Sequence, residues 1–157
     1  MGLQPSQSGW SLSALYQFNG NNGYQPVGVI SDASGNLYGP TFGAAGNDSG
    51  TIYELSPSNG GWNYSLVHDF GFSDLANGLV MDSAGNLYGA DYEYGYGYVF
   101  KLTRSGSGWT FTTLHTFSVT DGEFPQGQIV IDSNGNLYGT TIKGGTYGYG
   151  VLWEITP

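Results

Sequence analysis

Apolar and polar residues alternate along short stretches of this chain, and no segment settles into a helical period. From Trp109 to Phe117 the alternation places Trp109, Phe111, Thr113, His115 and Phe117 on one face, the period of two that a half-buried strand requires. Upstream, Gly78-Leu79-Val80-Met81 is a brief apolar run. Asp82-Ser83-Ala84-Gly85 then reads as a turn, with glycine where positive φ is wanted and aspartate able to bond the turn amides. Asn86 to Asp91 forms a second strand. A Tyr/Gly loop leads to a third strand, Tyr98 to Thr103. Arg104 to Gly108 turns the chain into the fourth, Trp109 to Phe117. Glycine interrupts every candidate helix.

This four-strand pattern recurs. Asp-x-x-Gly-Asn-Leu-Tyr-Gly begins at Asp32, Asp82 and Asp132, copies 50 residues apart. Trp followed eight positions later by Phe occurs at Trp10/Phe18, Trp62/Phe70 and Trp109/Phe117. An apolar-aromatic-charged-apolar string occurs at Ile52 to Leu55, Val99 to Leu102 and Leu152 to Ile155. Four strands repeating at such a period predict the blades of a β-propeller. Naming the strands A to D, the chain opens on a D strand over 9–18. Repeats follow at about 19–70, 71–117 and 118–157, the last without its own D strand. The expectation is an all-β chain carrying three four-stranded blades in one unit, 1–157. Propellers take four to eight blades, and an open arc leaves a sheet edge exposed. A homodimer is therefore expected: a six-bladed ring of two chains in which each N-terminal strand closes the other's last blade. A fragment of a longer chain that closes on itself is the rival.

Composition narrows the chemistry. Three Lys and Arg stand against twelve Asp and Glu, a net charge of −9. Phosphate-binding surfaces need cations, so nucleic acid and anionic membrane faces are not expected partners. No stretch is long and apolar enough for a spanning helix. The absence of cysteine removes disulfides, thiolate metal sites and thiol nucleophiles. No phosphate-binding glycine loop with lysine and no nucleophile elbow is present, and no cofactor is expected. The 28 glycines and 13 tyrosines suit a secreted or cell-surface protein, although the first residues have no signal-peptide pattern.

The Asp-x-x-Gly-Asn-Leu-Tyr-Gly-x-Thr motif, with its Tyr-Gly-x-Val and Leu-x-x-Phe strings, resembles the bacterial tandem-repeat propeller family known as choice-of-anchor GloVer repeats. More distantly it resembles NHL and SMP-30-type blades. The resemblance spans the chain from Trp10 onward. It implies an exported, often cell-surface protein and leaves the chemistry open, since fold does not fix function.

Candidate chemistry gathers on one face, where the B–C and D–A loops emerge together. Tyr24, Asp74, Tyr92, Glu93, Tyr94, Tyr96, Asp121, Phe124, Lys143 and Tyr147 are its ligand-binding candidates, with Asp48 nearby. Rings that stack on sugar faces, beside carboxylates and amides that pair with hydroxyls, suit carbohydrate. They also suit a protein partner, or simple packing between blades. Asp91 and Glu93 facing Asp121 and Glu123 would be a carboxylate pair for glycoside hydrolysis or a lyase step. A solvated acidic rim is the plainer reading. His68 and His115 share one repeat position with Tyr16, which marks them as packing residues. Each Asp-x-x-Gly-Asn turn offers a single carboxylate, too few for calcium. Asn47 and Asn63 match the glycosylation pattern incidentally. The expected function is a non-catalytic binding or scaffold module for carbohydrate. A carboxylate enzyme and an engineered or excised propeller without ligand are the alternatives.

Overall fold

The computed structural model describes residues 2–6, 9–44, 50–71, 78–92 and 95–157. Among them there is no helix, and every sheet is antiparallel. A hairpin, β1 (Gly2–Ser6) and β2 (Gly9–Ser13), comes first. The first repeat sheet contains β3 (Tyr24–Pro26), β4 (Ile30–Ser31), β5 (Leu37–Gly43), β6 (Thr51–Ser58) and β7 (Gly61–Asp69). Both β3 and β4 lie on β5, so its A strand is interrupted. The second sheet is β8 (Val80–Met81), β9 (Leu87–Asp91), β10 (Tyr98–Ser105) and β11 (Gly108–Thr116), in that spatial order. The third is β12 (Glu123–Ile131), β13 (Leu137–Lys143) and β14 (Leu152–Ile155). The A-B-C-D meander is therefore complete in the first two sheets, and the third carries A, B and C.

The eight-residue motif is the device that builds each sheet. Asp32 Oδ1 accepts the amides of Ser34 and Asn36, and its Oδ2 accepts Asn36 Nδ2 and the Tyr38 hydroxyl. Asp82 and Asp132 repeat all four bonds. Gly35, Gly85 and Gly135 sit at φ of 83, 82 and 86°, where a side chain is strained. The motif's last glycine has a different task. A Cβ on Gly39, Gly89 or Gly139 would stand 2.6, 2.4 or 2.1 Å from Tyr53, Phe100 or Trp153. These glycines seat the C-strand aromatic flat against the B strand.

Two cores join the three sheets, built from the same repeat positions. Between the first and second sheets, Tyr38 and Ile52 meet Leu79, Leu87, Phe100 and Leu102. Between the second and third, Tyr88 and Val99 meet Ile129, Leu137 and Trp153. The closing phenylalanine of each D strand bridges to the next sheet: Phe70 lies 5.3 Å from Phe100, and Phe117 lies 5.9 Å from Trp153. Tyr16 and Phe18 stand on the first sheet in the same way, with Phe18 5.0 Å from Tyr53 and Tyr16 stacked on Tyr64.

The first D strand departs from expectation. Only Gly9–Ser13 is strand, and it pairs with β1, a strand the pattern did not predict. Ala14 to Phe18 make no ladder, because no C strand lies beside them. The A strands also differ among themselves: β8 covers only Val80–Met81, whereas β12 runs from Glu123 to Ile131.

Candidate functional site

Phe124 is the most unusual residue on the loop face. It and Gln25 are the two non-glycine residues at positive φ among those described, at 58 and 48°, and each directly precedes a proline. Proline normally drives the residue before it into extended conformations. The left-handed region is therefore costly for an aromatic here and persists only where neighbours impose it. The Phe124 amide donates to the Tyr96 carbonyl of the second sheet's loop at 2.8 Å, and Gly122 packs its backbone against Thr141. Both contacts hold the ring in place.

That ring borders a cavity of about 460 Å³ between the second and third sheets, lined by Tyr92, Phe124, Gln126, Ile142 and Lys143. Lys143 Nζ lies 5.5 Å over the Phe124 ring, a cation–π arrangement. Ile142 is half exposed. Beyond Lys143 the loop Gly144–Gly150 is tied by backbone hydrogen bonds. Gly145 N donates to Val119 O, Gly148 N to Gly145 O and Gly150 N to Gly144 O. Tyr147 and Tyr149 project from this loop at 86% and 91% exposure. Two tyrosines on an ordered loop, beside an aromatic cavity with one cation and one amide, form a surface that can stack against and hydrogen-bond a hydroxylated ligand.

Of the residues singled out from the sequence, Tyr92, Phe124 and Lys143 line this cavity. Tyr96 supplies the carbonyl that fixes Phe124, and Tyr147 lies on the adjoining loop. Tyr24 sits on the first sheet, opposite Gly43, away from it. Asp48, Asp74, Glu93 and Tyr94 lie outside the described residues, as does Asn47. Gln126, Ile142 and Tyr149 were not singled out.

Of the candidate carboxylates, Asp91, Asp121 and Glu123 are among the described residues. Asp91 is fully buried in β9, at the repeat position of Thr41 and Thr141. Those threonines cross-link their own strands: Thr41 bonds Thr51 and Gly43, and Thr141 bonds Lys143 and Val151. Asp91 thus occupies, buried, the repeat position that those threonines fill in the other two sheets. Asp121 closes its own turn, accepting from Ser118 N at 2.7 Å and Ser118 Oγ at 2.8 Å, and pairs with His115 Nε2 at 2.9 Å. Burial raises its pKa, but these bonds outweigh that and hold the carboxyl below its usual value. Glu123 lies opposite Lys143 in the β12–β13 register.

Both histidines pack. His68 stacks on Phe111 at 4.6 Å, and burial lowers its pKa. His115 meets the Phe117 edge at 4.9 Å. On the opposite face Arg104 reaches back to the first sheet, 3.0 Å from Glu54 and 3.1 Å from the Tyr38 hydroxyl, with Trp109 4.6 Å beneath it. The Tyr38 pKa is pushed up to about 12, first by burial and then by Glu54. Among the described residues no group of three or more His, Asp or Glu is placed to hold a metal.

No curated protein matches the chain. Among solved structures, the X-ray structure of a putative gluconolactonase, with a propeller fold of the SMP-30 and NHL type, superposes with a TM-score of 0.55 at 18% identity. The match covers 84% of this chain and 48% of that one, so the chain spans about half its length. At that identity the likeness speaks to fold alone. The sequence profile of a repeat family extends across residues 3–157, through all three copies of the motif and the cavity between the second and third sheets, and by that match the chain belongs to the Gloeobacter/Verrucomicrobia repeat family.

Proposed function

We propose that the chain is a non-catalytic binding module whose ligand is a carbohydrate, held at the cavity of Tyr92, Phe124, Gln126, Ile142 and Lys143. The observation that carries this reading is the Phe124 ring, fixed at φ 58° over an open cavity. Strained backbone that presents an aromatic to solvent is a feature of binding sites. Sugar C–H faces pack on such rings, while the Gln126 amide and Lys143 ammonium are donors for ring hydroxyls. Tyr147 and Tyr149 extend the surface at low entropic cost. The burial of Asp91 takes that one carboxylate out of a paired-carboxylate site.

As a scaffold, the chain is half of a six-bladed ring, contributing three blades and completed by a second copy. Its setting is extracellular or on the cell surface, as the family resemblance implies.

A glycan array tests the ligand. At least one glycan class should be retained. Phe124→Ala and Lys143→Ala should each weaken it by about tenfold, the loss of roughly one good contact, with unchanged circular dichroism. An array without a hit, or variants that bind as wild type does, would overturn the carbohydrate reading.

A further inference from the structure

The two ends of the arc are the two halves of one core. Each internal junction is made from a giving face and a receiving face. The giving face is the B-strand tyrosine and first C-strand residue: Tyr38 with Ile52, then Tyr88 with Val99. The receiving face is the A-strand apolar residue, the motif leucine and the C-strand aromatic of the next sheet: Leu79, Leu87 and Phe100, then Ile129, Leu137 and Trp153.

The third sheet ends on a giving face that meets nothing among the described residues. Leu152 occupies the position of Ile52 and Val99. Those are 0% exposed, whereas Leu152 is 78% exposed. The first sheet begins on a receiving face that is equally open. Val29 occupies the position of Leu79 and Ile129, which are 3% and 2% exposed, and Val29 is 60% exposed. Before it lies a cavity of about 590 Å³ whose lining includes Leu15, Phe18, Val29, Leu37, Tyr53 and Leu55. This lining carries the counterparts of the buried residues of the first internal junction, Tyr38 and Ile52 excepted.

We propose that a second copy of this chain fills that cavity with its Tyr138 and Leu152, and that the exchange is mutual, giving a two-fold ring of two chains. The inference rests on the ring reading above and is independent of the ligand. Two observations select a second copy. Both open faces carry the code of one chain, so each copy supplies what the other lacks. The chain also covers 48% of a solved neighbour, so two copies make one molecule of about that size. A head-to-tail interface closes when the rotations sum to a full turn, as two three-bladed arcs do.

The junction also fixes a strand register. In the first sheet Leu55 pairs with Tyr64, Glu54 with Ser65 and Ile52 with His68. The same offsets set Ile155 opposite the second copy's Leu12, Glu154 opposite its Ser13 and Leu152 opposite its Tyr16. Ala14 to Phe18 then gain the ladder they lack in one chain. In the single chain, β1 holds Leu3 opposite Leu12, the place Ile155 would take, so closure displaces β1.

Cysteine cross-linking tests this, because the chain has no cysteine of its own. Paired strand residues lie about 4.5–5.5 Å apart at Cα, within disulfide reach. Ser13→Cys with Glu154→Cys should give a covalent dimer under oxidation, reversed by reductant. Leu152→Asp, exposed in the single chain, should weaken self-association by about tenfold to hundredfold without lowering monomer stability. A dimer that does not cross-link would overturn the paired faces while leaving two copies standing. A folded monomer would overturn both. A covalent ladder beyond two chains would overturn closure at two.

Discussion

The aspartate of each turn is the residue on which most local order depends. Asp82 accepts four hydrogen bonds. Burial raises its pKa, but the bonds from Asn86, Tyr88 and Ala84 outweigh it and hold the carboxyl below its ordinary value. A depressed carboxyl stabilises the fold fully above the unfolded pKa, near 4, and loses that contribution as pH falls through the folded value. Asp82→Asn should therefore cost about 1–2 kcal/mol at neutral pH. The gap to wild type should close as pH drops below about 4. Thermal melts from pH 7 to pH 3 check this; a gap unchanged at pH 3 would contradict it. The turn was legible in the sequence, because aspartate and glycine have fixed tasks in a reversal. The left-handed Phe124 was not. Nothing in Glu-Phe-Pro announces positive φ, which is imposed by the Tyr96 carbonyl from another sheet.

Between elements, the decisive contact is a strand aromatic seated on a strand glycine. Phe100 of β10 lies on Gly89 of β9, where a Cβ would stand 2.4 Å from the ring. Gly89→Ala must shift Phe100 and with it the core between the first and second sheets. The expected cost is about 1–3 kcal/mol, read as a lowered midpoint in chemical denaturation. An unchanged midpoint would show that the ring moves freely. In the second repeat, strand order and the B, C and D boundaries followed from alternation and turn residues, whereas the first D strand stops at Ser13. The sequence did not betray Asp91's burial. An acidic residue beside a Tyr/Gly loop reads as surface, and only its alignment with Thr41 and Thr141 points inward. Tyr149 and Gln126 were missed for a related reason: nothing local marks them, and only the loop Gly144–Gly150 and the β12–β13 pairing bring them near Lys143. The Arg104 clasp onto Glu54 spans two repeats, a distance that no local pattern encodes.

At the scale of the whole molecule, the repeat phase explains both what is buried and what is left open. The positions that form the two internal cores recur at the arc's two ends, where Leu152 and Val29 are exposed and a receiving cavity stands open. Exposed apolar patches of that kind mark association surfaces. The loop-face cavity lies between the second and third sheets of one chain, so a ring would carry it twice, related by the two-fold axis. The most direct measurement is the solution mass by light scattering of the 157-residue chain, 16.7 kDa as a single copy. A uniform particle of twice that mass is expected at micromolar concentration. A folded, stable particle at 16.7 kDa would contradict it.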